Sequence, residues 1–327
     1  MEKYREKQNI EFEQFSRGKR LKAKYLNWHF AAKVFGTLFI YVLLIGIAFV
    51  IVYPIIRRVS NAFKPAEEFF DSSVILFPRN PTQETIWRAY GGLNVNGLGA
   101  KSFWLAVFVA LGQTAVATVA AYGFARFKFR GSKLLFACVI FTLVVPPETI
   151  VIPLLLRFRY FNPFGLMSLI LGKPLDLTDT LWPQIILALT GMGWKNGLYI
   201  YMMREYFKGM PIALEEAAYI DGAKTMRAFF EIILPSAVPM MMTIFLFSFS
   251  WQWTDDFYAG TFLLTERVMA TNIATLVESG SGGSVEIISY NTQQTATLLL
   301  ILPLIVLFIF TQRFFVEGIE RSGITGT

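Results

Sequence analysis

Val34 to Ile56 is a run of 23 residues without one charge, closed by Lys33 before it and by Arg57 and Arg58 after it. A helix rises about 1.5 Å per residue, so about 20 apolar residues cross the hydrocarbon core of a bilayer. Further runs of similar length follow. Only 16% of the 327 residues are charged, against about 25% in an ordinary soluble domain, too few to cover this chain in water. A soluble enzyme, a disordered chain and a secreted disulfide scaffold are thereby excluded. The runs are continuous rather than alternating, which selects helices over a barrel, whose strands are only about 10 residues long. The expected fold class is an all-α integral membrane protein that crosses the bilayer several times.

Six spans are expected: Val34–Ile56, Ser102–Ala125, Leu134–Leu156, Leu181–Met203, about Ser236–Thr254 and about Asn291–Gln312. The first is too long for a signal-peptide core and no small-x-small cleavage site follows, so it is read as a retained helix. The third is interrupted by Pro146, Pro147 and Pro153, and the fourth contains Lys195. The organisation is then a basic N-terminal extension (1–33), a first helix (34–56), an external loop (57–101), a five-helix core (102–316) and a tail (317–327). Segments 1–33, 126–133, 204–231 and 313–327 hold 19 Lys/Arg, whereas 57–101, 157–180 and 255–290, longer in total, hold 10. The excess of cations marks the cytoplasmic side, so both termini are expected there.

The rare residues exclude chemistry. There is one histidine, His29, and one cysteine, Cys138, so neither an internal disulfide nor a Cys/His metal cluster can form. No catalytic residue and no metal site are expected, and Cys138 reads as a small packing residue. The net charge of +7 needs no nucleic acid, because cytoplasmic loops of membrane proteins collect Lys and Arg anyway. Ala106, Ala110, Thr114 and Thr118, like Ala117, Ala121 and Ala125, recur every fourth residue in the second span. Small residues so spaced let helices approach closely in lipid.

The most informative stretch is Gly209 to Pro235, within the cytoplasmic segment 204–235. Pro211 suits a first helical turn, and Glu215 and Glu216 lie near it, where the helix dipole favours anions. Ala217 and Ala218 form a thin helical middle. Gly222 can end the helix in a left-handed conformation, with Asp221 available for capping. Met226, Phe229, Phe230 and Ile233 give a second helix one apolar face, and Pro235 breaks it before the fifth span. The result expected is a protruding helical hairpin suited to a groove on a partner protein.

Glu216-Ala217-Ala218, Gly222, then Ile232, Leu234 and Pro235 resemble the EAA loop of permease subunits of binding-protein-dependent ABC importers. Asp221, Ala223, Phe229 and Pro239 are similar to the form found in the carbohydrate branch. Weaker resemblances run along the chain: Ala121-Tyr-Gly-Phe-Ala-Arg126 after the second span, Pro146 to Pro153 in the third, Pro78 to Thr82 in the first external loop, and Gln312 to Gly318 in the tail. Trp251-Gln-Trp-Thr-Asp-Asp256 departs from the family's usual Trp-Asn-Asp, with Thr254 where Asn is common. The resemblance implies a type I ABC importer permease fold in a prokaryotic plasma (inner) membrane. It implies a heterodimer with a second, homologous permease, two copies of a cytoplasmic ATPase, an extracytoplasmic solute-binding protein, and lipid around the spans. It also implies that this chain binds no cofactor, ATP and Mg being held by the ATPase; the chain has no Gly-x-x-x-x-Gly-Lys-Ser/Thr loop. Glu215, Glu216, Ala217, Ala218, Asp221, Gly222 and Pro235 would couple the permease to that ATPase. The cargo implied is an oligosaccharide or related carbohydrate.

Within the spans, Glu148 and Lys195 are charged, which is costly in lipid. Glu148 reads as lying near the outer end of its span. Lys195 with Asn196 either lines a pathway or forms an interhelical ion pair. Trp251, Gln252, Trp253 and Asp255 have a composition suited to sugars, aromatic faces stacking on C–H surfaces while amides and carboxylates bind hydroxyls. Phe257, Tyr258 and Asp256 belong to the same mixture, and an interfacial aromatic belt is the other reading, for Trp253 and Tyr258 above all. An ion-driven transporter would call for several embedded acids and two similar halves, and a membrane enzyme for a His, Cys or paired-acid constellation. Neither pattern is evident.

Overall fold

A computed structural model describes residues 28–69, 71, 73–278 and 283–323. Most of the basic extension, part of the Gly/Ser run at 279–284 and the last four residues lie outside the described residues. The chain divides into two units, residues 1–61 and 62–327. The described residues of the first form one helix, α1 (Trp28–Ala62), which carries Pro54 without ending there. It runs past the expected boundary because Arg57 and Arg58 end the apolar run, not the helix.

In the second unit α2 (Glu84–Gly92) leads into α3 (Val95–Arg126), the helix on which the rest is built. α4 (Ser132–Phe141), α5 (Pro147–Arg159) and α6 (Leu166–Leu171) follow, then α7 (Trp182–Leu189) and α8 (Asn196–Gly209). The hairpin region holds α9 (Ala213–Ile220) and α10 (Thr225–Ala228). α11 (Val238–Trp253), α12 (Phe257–Phe262), α13 (Met269–Glu278) and α14 (Gly283–Gly323) complete the chain. One isolated bridge, Phe161 with Leu175, is the only β pairing among the described residues.

α7, α8 and α11 pack against α3, and α14 packs against α11, α13 and α2. The small-residue stripe explains the central position of α3: Ala106, Ala110, Ala117 and Ala121 are fully buried. With methyl groups alone between them, neighbouring backbones come close enough to gain dispersion contacts that lipid cannot match. Among the described residues, stretches of α1, α3 and α14 are long and apolar enough to cross a membrane. Thr225–Ser236 and Val238–Trp253, bent by 70°, form a fourth candidate.

The expected third and fourth spans are each built from two helices. Pro146 and Pro147 separate α4 from α5, since neither can donate to a turn behind it and Pro147 pushes Pro146 into extended backbone (ψ 135°). Between α7 and α8 the chain turns at Gly191 (φ +74°) and at Lys195 (φ +64°). Lys195 therefore stands at a helix start rather than within a continuous span. Cys138 is exposed on α4 and does not pack inside the chain, a correction to the expectation from composition.

Candidate functional site

The hairpin begins where α8 ends and Met210 turns extended (ψ 135°). Glu215 N–H bonds to the Ile212 carbonyl (2.9 Å) as α9 winds up. At the other end Gly222 adopts φ +82°, its N–H donating to the Tyr219 carbonyl (3.0 Å) while Ala223 N–H reaches back to that of Ala218 (2.9 Å). This paired closure is the Schellman motif, and it needs a residue that tolerates a left-handed backbone. α10 then widens into a π-turn over Phe229–Ile233 and ends at Ser236. Pro235 lacks the N–H that would close the turn behind it, and the Ser236 hydroxyl takes the neighbouring Ile232 carbonyl (2.8 Å).

Adjacent glutamates in α9 part company. Glu215 is buried with Ala218 and pairs with Arg126 at the end of α3 (2.8 Å, both side chains 9% exposed). The same guanidinium donates to the Met210 carbonyl (2.9 Å). Beneath them, Tyr122, Tyr199, Met203, Phe207, Phe229 and Ile233 form a buried cluster from α3, α8 and the π-turn. Glu216, Ala217, Asp221, Gly222 and Pro235 are exposed. So are Ile212, Ile220, Met226 and Phe230, with Ile220 as much as 86% exposed. The hairpin is thus anchored by one face and offers an apolar, carboxylate-flanked surface with the other. Apolar side chains gathered in this way mark a protein interface or burial in lipid.

A second constellation gathers at the break between α7 and α8. Trp194 meets Trp251 edge to face (ring centroids 5.0 Å apart) and Tyr258 likewise (5.8 Å). The Lys195 ammonium lies 5.3 Å from the Trp194 ring and 5.1 Å from the Trp251 ring. No carboxylate lies within 4.0 Å of it among the described residues. Each such ring contact contributes about 0.5–1 kcal/mol at a partly exposed site. The rings meet the ammonium but supply no opposite charge. Asn196 is buried, and neither atom of its side-chain amide has a hydrogen-bond partner. Trp194, Lys195, Asn196 and Tyr258, with Thr142, Pro147 and the rest of Gly191 to Leu198, line a cleft of about 420 Å³.

Next to the cleft, a small recess of about 30 Å³ is lined by Gln113, Gln184, Ser248, Trp251, Gln252 and Asp255 among others. The Ser248 hydroxyl donates to Gln113 Oε1, and Gln113 Nε2 donates to the Trp194 carbonyl (3.0 Å), which ties α3 and α11 to the break. Asp255 is committed: its oxygens accept the Tyr258 and Ala259 N–H groups (3.1 and 3.0 Å) and Gln184 Nε2 (3.3 Å), so it caps α12. Trp253 turns away, stacked on Phe249 and donating Nε1–H to the Leu300 carbonyl (2.8 Å). Of the residues singled out in the sequence, Lys195 and Asn196 line the cleft, Trp251, Gln252 and Asp255 line the recess, and Trp253 is packing. Trp194, Gln113, Gln184 and Ser248 were missed.

On the loop before α7, the Asp179 carboxylate accepts the Thr265 hydroxyl and the Glu266 and Thr265 N–H groups (2.9 and 2.8 Å). These bonds hold it below the usual carboxylate range. Lys101 pairs with Glu266 alongside. The loop between α12 and α13 is thereby pinned to both α3 and the α7 approach.

Comparison with known proteins decides the class. Residues 113–321, which carry the hairpin and both halves of the cleft, match the family described as "binding-protein-dependent transport system inner membrane component". The chain belongs to this family. The permease is 29% identical over 294 residues to the galactooligosaccharides transport system permease protein GanQ of Bacillus subtilis (strain 168), covering 88% of this chain and 95% of that one. It is 32% identical over 240 residues to the alpha-glucoside transport system permease protein AglG of Rhizobium meliloti (strain 1021), covering 72% of this chain and 58% of that one. Its fold matches a chain of a bacterial ABC transporter involved in the import of the acidic polysaccharide alginate. That match has a TM-score of 0.60 and 22% identity, and covers 87% of the permease and 98% of the other chain. The permease is a membrane transport component, not an enzyme.

Proposed function

We propose that the permease forms half of the translocation pathway for an oligosaccharide or related carbohydrate, in an importer driven by a separate ATPase. The observation that carries the coupling is the hairpin: one face is locked to α3 through Arg126 and Glu215, and the other offers Ile212, Ile220, Met226 and Phe230. The exposed face docks in a groove of the ATPase, and Glu216 and Asp221 meet its cations. Closure of the ATPase around ATP and Mg then moves the hairpin, α3 and α8 as one body, opening the pathway to the outside, and hydrolysis resets it. The states interconvert because the ATPase binds the hairpin differently in each. A second, homologous permease and an external solute-binding protein complete the assembly. The carbohydrate cargo is supported by relatives named for galactooligosaccharides and alpha-glucosides and by the aromatic cleft at Trp194 and Tyr258.

In this reading the chain has six spans, with the segments Leu134–Leu156 and Leu181–Met203 crossing as broken helices, and both termini and the 204–235 loop face the cytoplasm. The purified chain alone should turn over no ATP, and turnover should appear when the ATPase and partner permease are added. ATP hydrolysis by the isolated chain would contradict the assignment outright. For the topology, Lys208→Cys in a Cys138→Ala background should react with a membrane-impermeant maleimide only after the cells are opened. Labelling of intact cells would reverse the orientation.

A further inference from the structure

We propose that the cleft at the α7–α8 break receives the carboxylate of an acidic sugar, with Lys195 as its cationic partner; this rests on the carbohydrate pathway proposed above. The reason is an incomplete balance of charge. Among the described residues Lys195 faces two indole rings and no carboxylate within 4.0 Å, so an ammonium is held at the wall of a 420 Å³ cleft with no opposite charge beside it. Ligand clefts of about 300–1,000 Å³ are ordinary, and this one has room for a pyranose ring.

The nearby acids do not answer the charge. Both Asp255 oxygens are taken by backbone N–H groups and Gln184. Glu148, in the first turn of α5 beside the cleft residue Pro147, is exposed and makes no ion pair with Lys195. A second unmet group points to a polar ligand independently: the Asn196 amide is 1% exposed, lines the same cleft, and has a free donor and a free acceptor. Trp194 and Tyr258 line the cleft and supply the faces on which sugar C–H groups stack. A neutral sugar would use the rings and the amide and leave Lys195 as it is. A uronate adds one negative charge, which one ammonium matches. A sugar phosphate carries about −1.5 to −2 near neutral pH, more than the single cation answers.

The test uses the purified complex of this permease with its partner permease and ATPase, and equilibrium binding of radiolabelled digalacturonate, galactobiose and galactose 6-phosphate. Digalacturonate should bind most tightly, and Lys195→Gln should weaken it about tenfold or more, as expected for loss of a charge-assisted bond. Galactobiose binding should fall less than digalacturonate binding in that variant, and Lys195→Arg should keep digalacturonate binding. Equal digalacturonate binding by wild type and Lys195→Gln, or tighter binding of galactobiose or galactose 6-phosphate, overturns the acidic-sugar assignment while leaving a carbohydrate pathway standing. If the wild-type complex binds none of the three, the carbohydrate pathway through this cleft falls with it.

Discussion

Replacing Gly222 with proline should abolish solute uptake while the chain reaches the membrane in normal amount. Gly222 sits at φ +82°, and its N–H closes α9 onto the Tyr219 carbonyl. Proline fixes φ near −65° and has no N–H, so both the turn and the bond are lost. Gly222→Ala separates the two effects. A Cβ there meets no atom within 4 Å, so its cost is the left-handed backbone alone, about 1–2 kcal/mol. That shifts the ratio between this and other hairpin geometries about tenfold, the factor that 1.4 kcal/mol sets, and should lower uptake less than Gly222→Pro does. Glu216→Lys removes no packing, since Glu216 is exposed, but reverses charge on the face proposed to dock. It should also stop uptake. Labelled solute taken up by cells, normalised to permease in the membrane, is the readout. Normal rates for Gly222→Pro and Glu216→Lys would remove the hairpin from the coupling path.

The hairpin was legible in the sequence because its determinants are local. Pro211, Gly222 and Pro235 act on the backbone within a turn of themselves, so their spacing alone gives two short helices and where they end. The neighbours Glu215 and Glu216 were not separable in that way. They differ by about 100° around a helix, and which one turns inward depends on Arg126, on another helix. The cleft was still less legible. Trp251 and Trp253 look alike in sequence, yet two residues along a helix point to nearly opposite sides, and the Leu300 carbonyl claims Trp253. Gln113 and Ser248 meet across 135 positions, a contact no motif announces. The break before Lys195 did have a signal: Gly191 and Gly193 each disfavour a helix interior by about 1 kcal/mol relative to alanine. Length and apolarity outweighed it, because an apolar run measures what can sit in lipid rather than what stays helical.

Removing either partner of the Arg126–Glu215 pair should damage the permease more than removing both. The two side chains are 9% exposed and 2.8 Å apart, at the junction of α3 with the hairpin. Truncating one partner of such a buried pair strands the other charge, at a cost of about 3–5 kcal/mol, whereas replacing both by apolar groups is often close to neutral. Arg126→Leu and Glu215→Leu should therefore each lower the Tm of the detergent-purified complex and cut uptake, and the double variant should recover much of the Tm. Recovery stops short of wild type, because the bond from Arg126 to the Met210 carbonyl (2.9 Å) is lost whichever residue stands at 215. Uptake is the more demanding measure. A leucine pair restores packing but not the fixed geometry of a guanidinium held by Glu215 and the Met210 carbonyl together, so the hairpin regains stability before it regains rigidity. Uptake in the double variant should then trail its Tm. If the two single losses simply add in the double variant, the pair is not a direct coupling, and the hairpin is held to α3 by the aromatic cluster around Tyr122 and Phe229 alone.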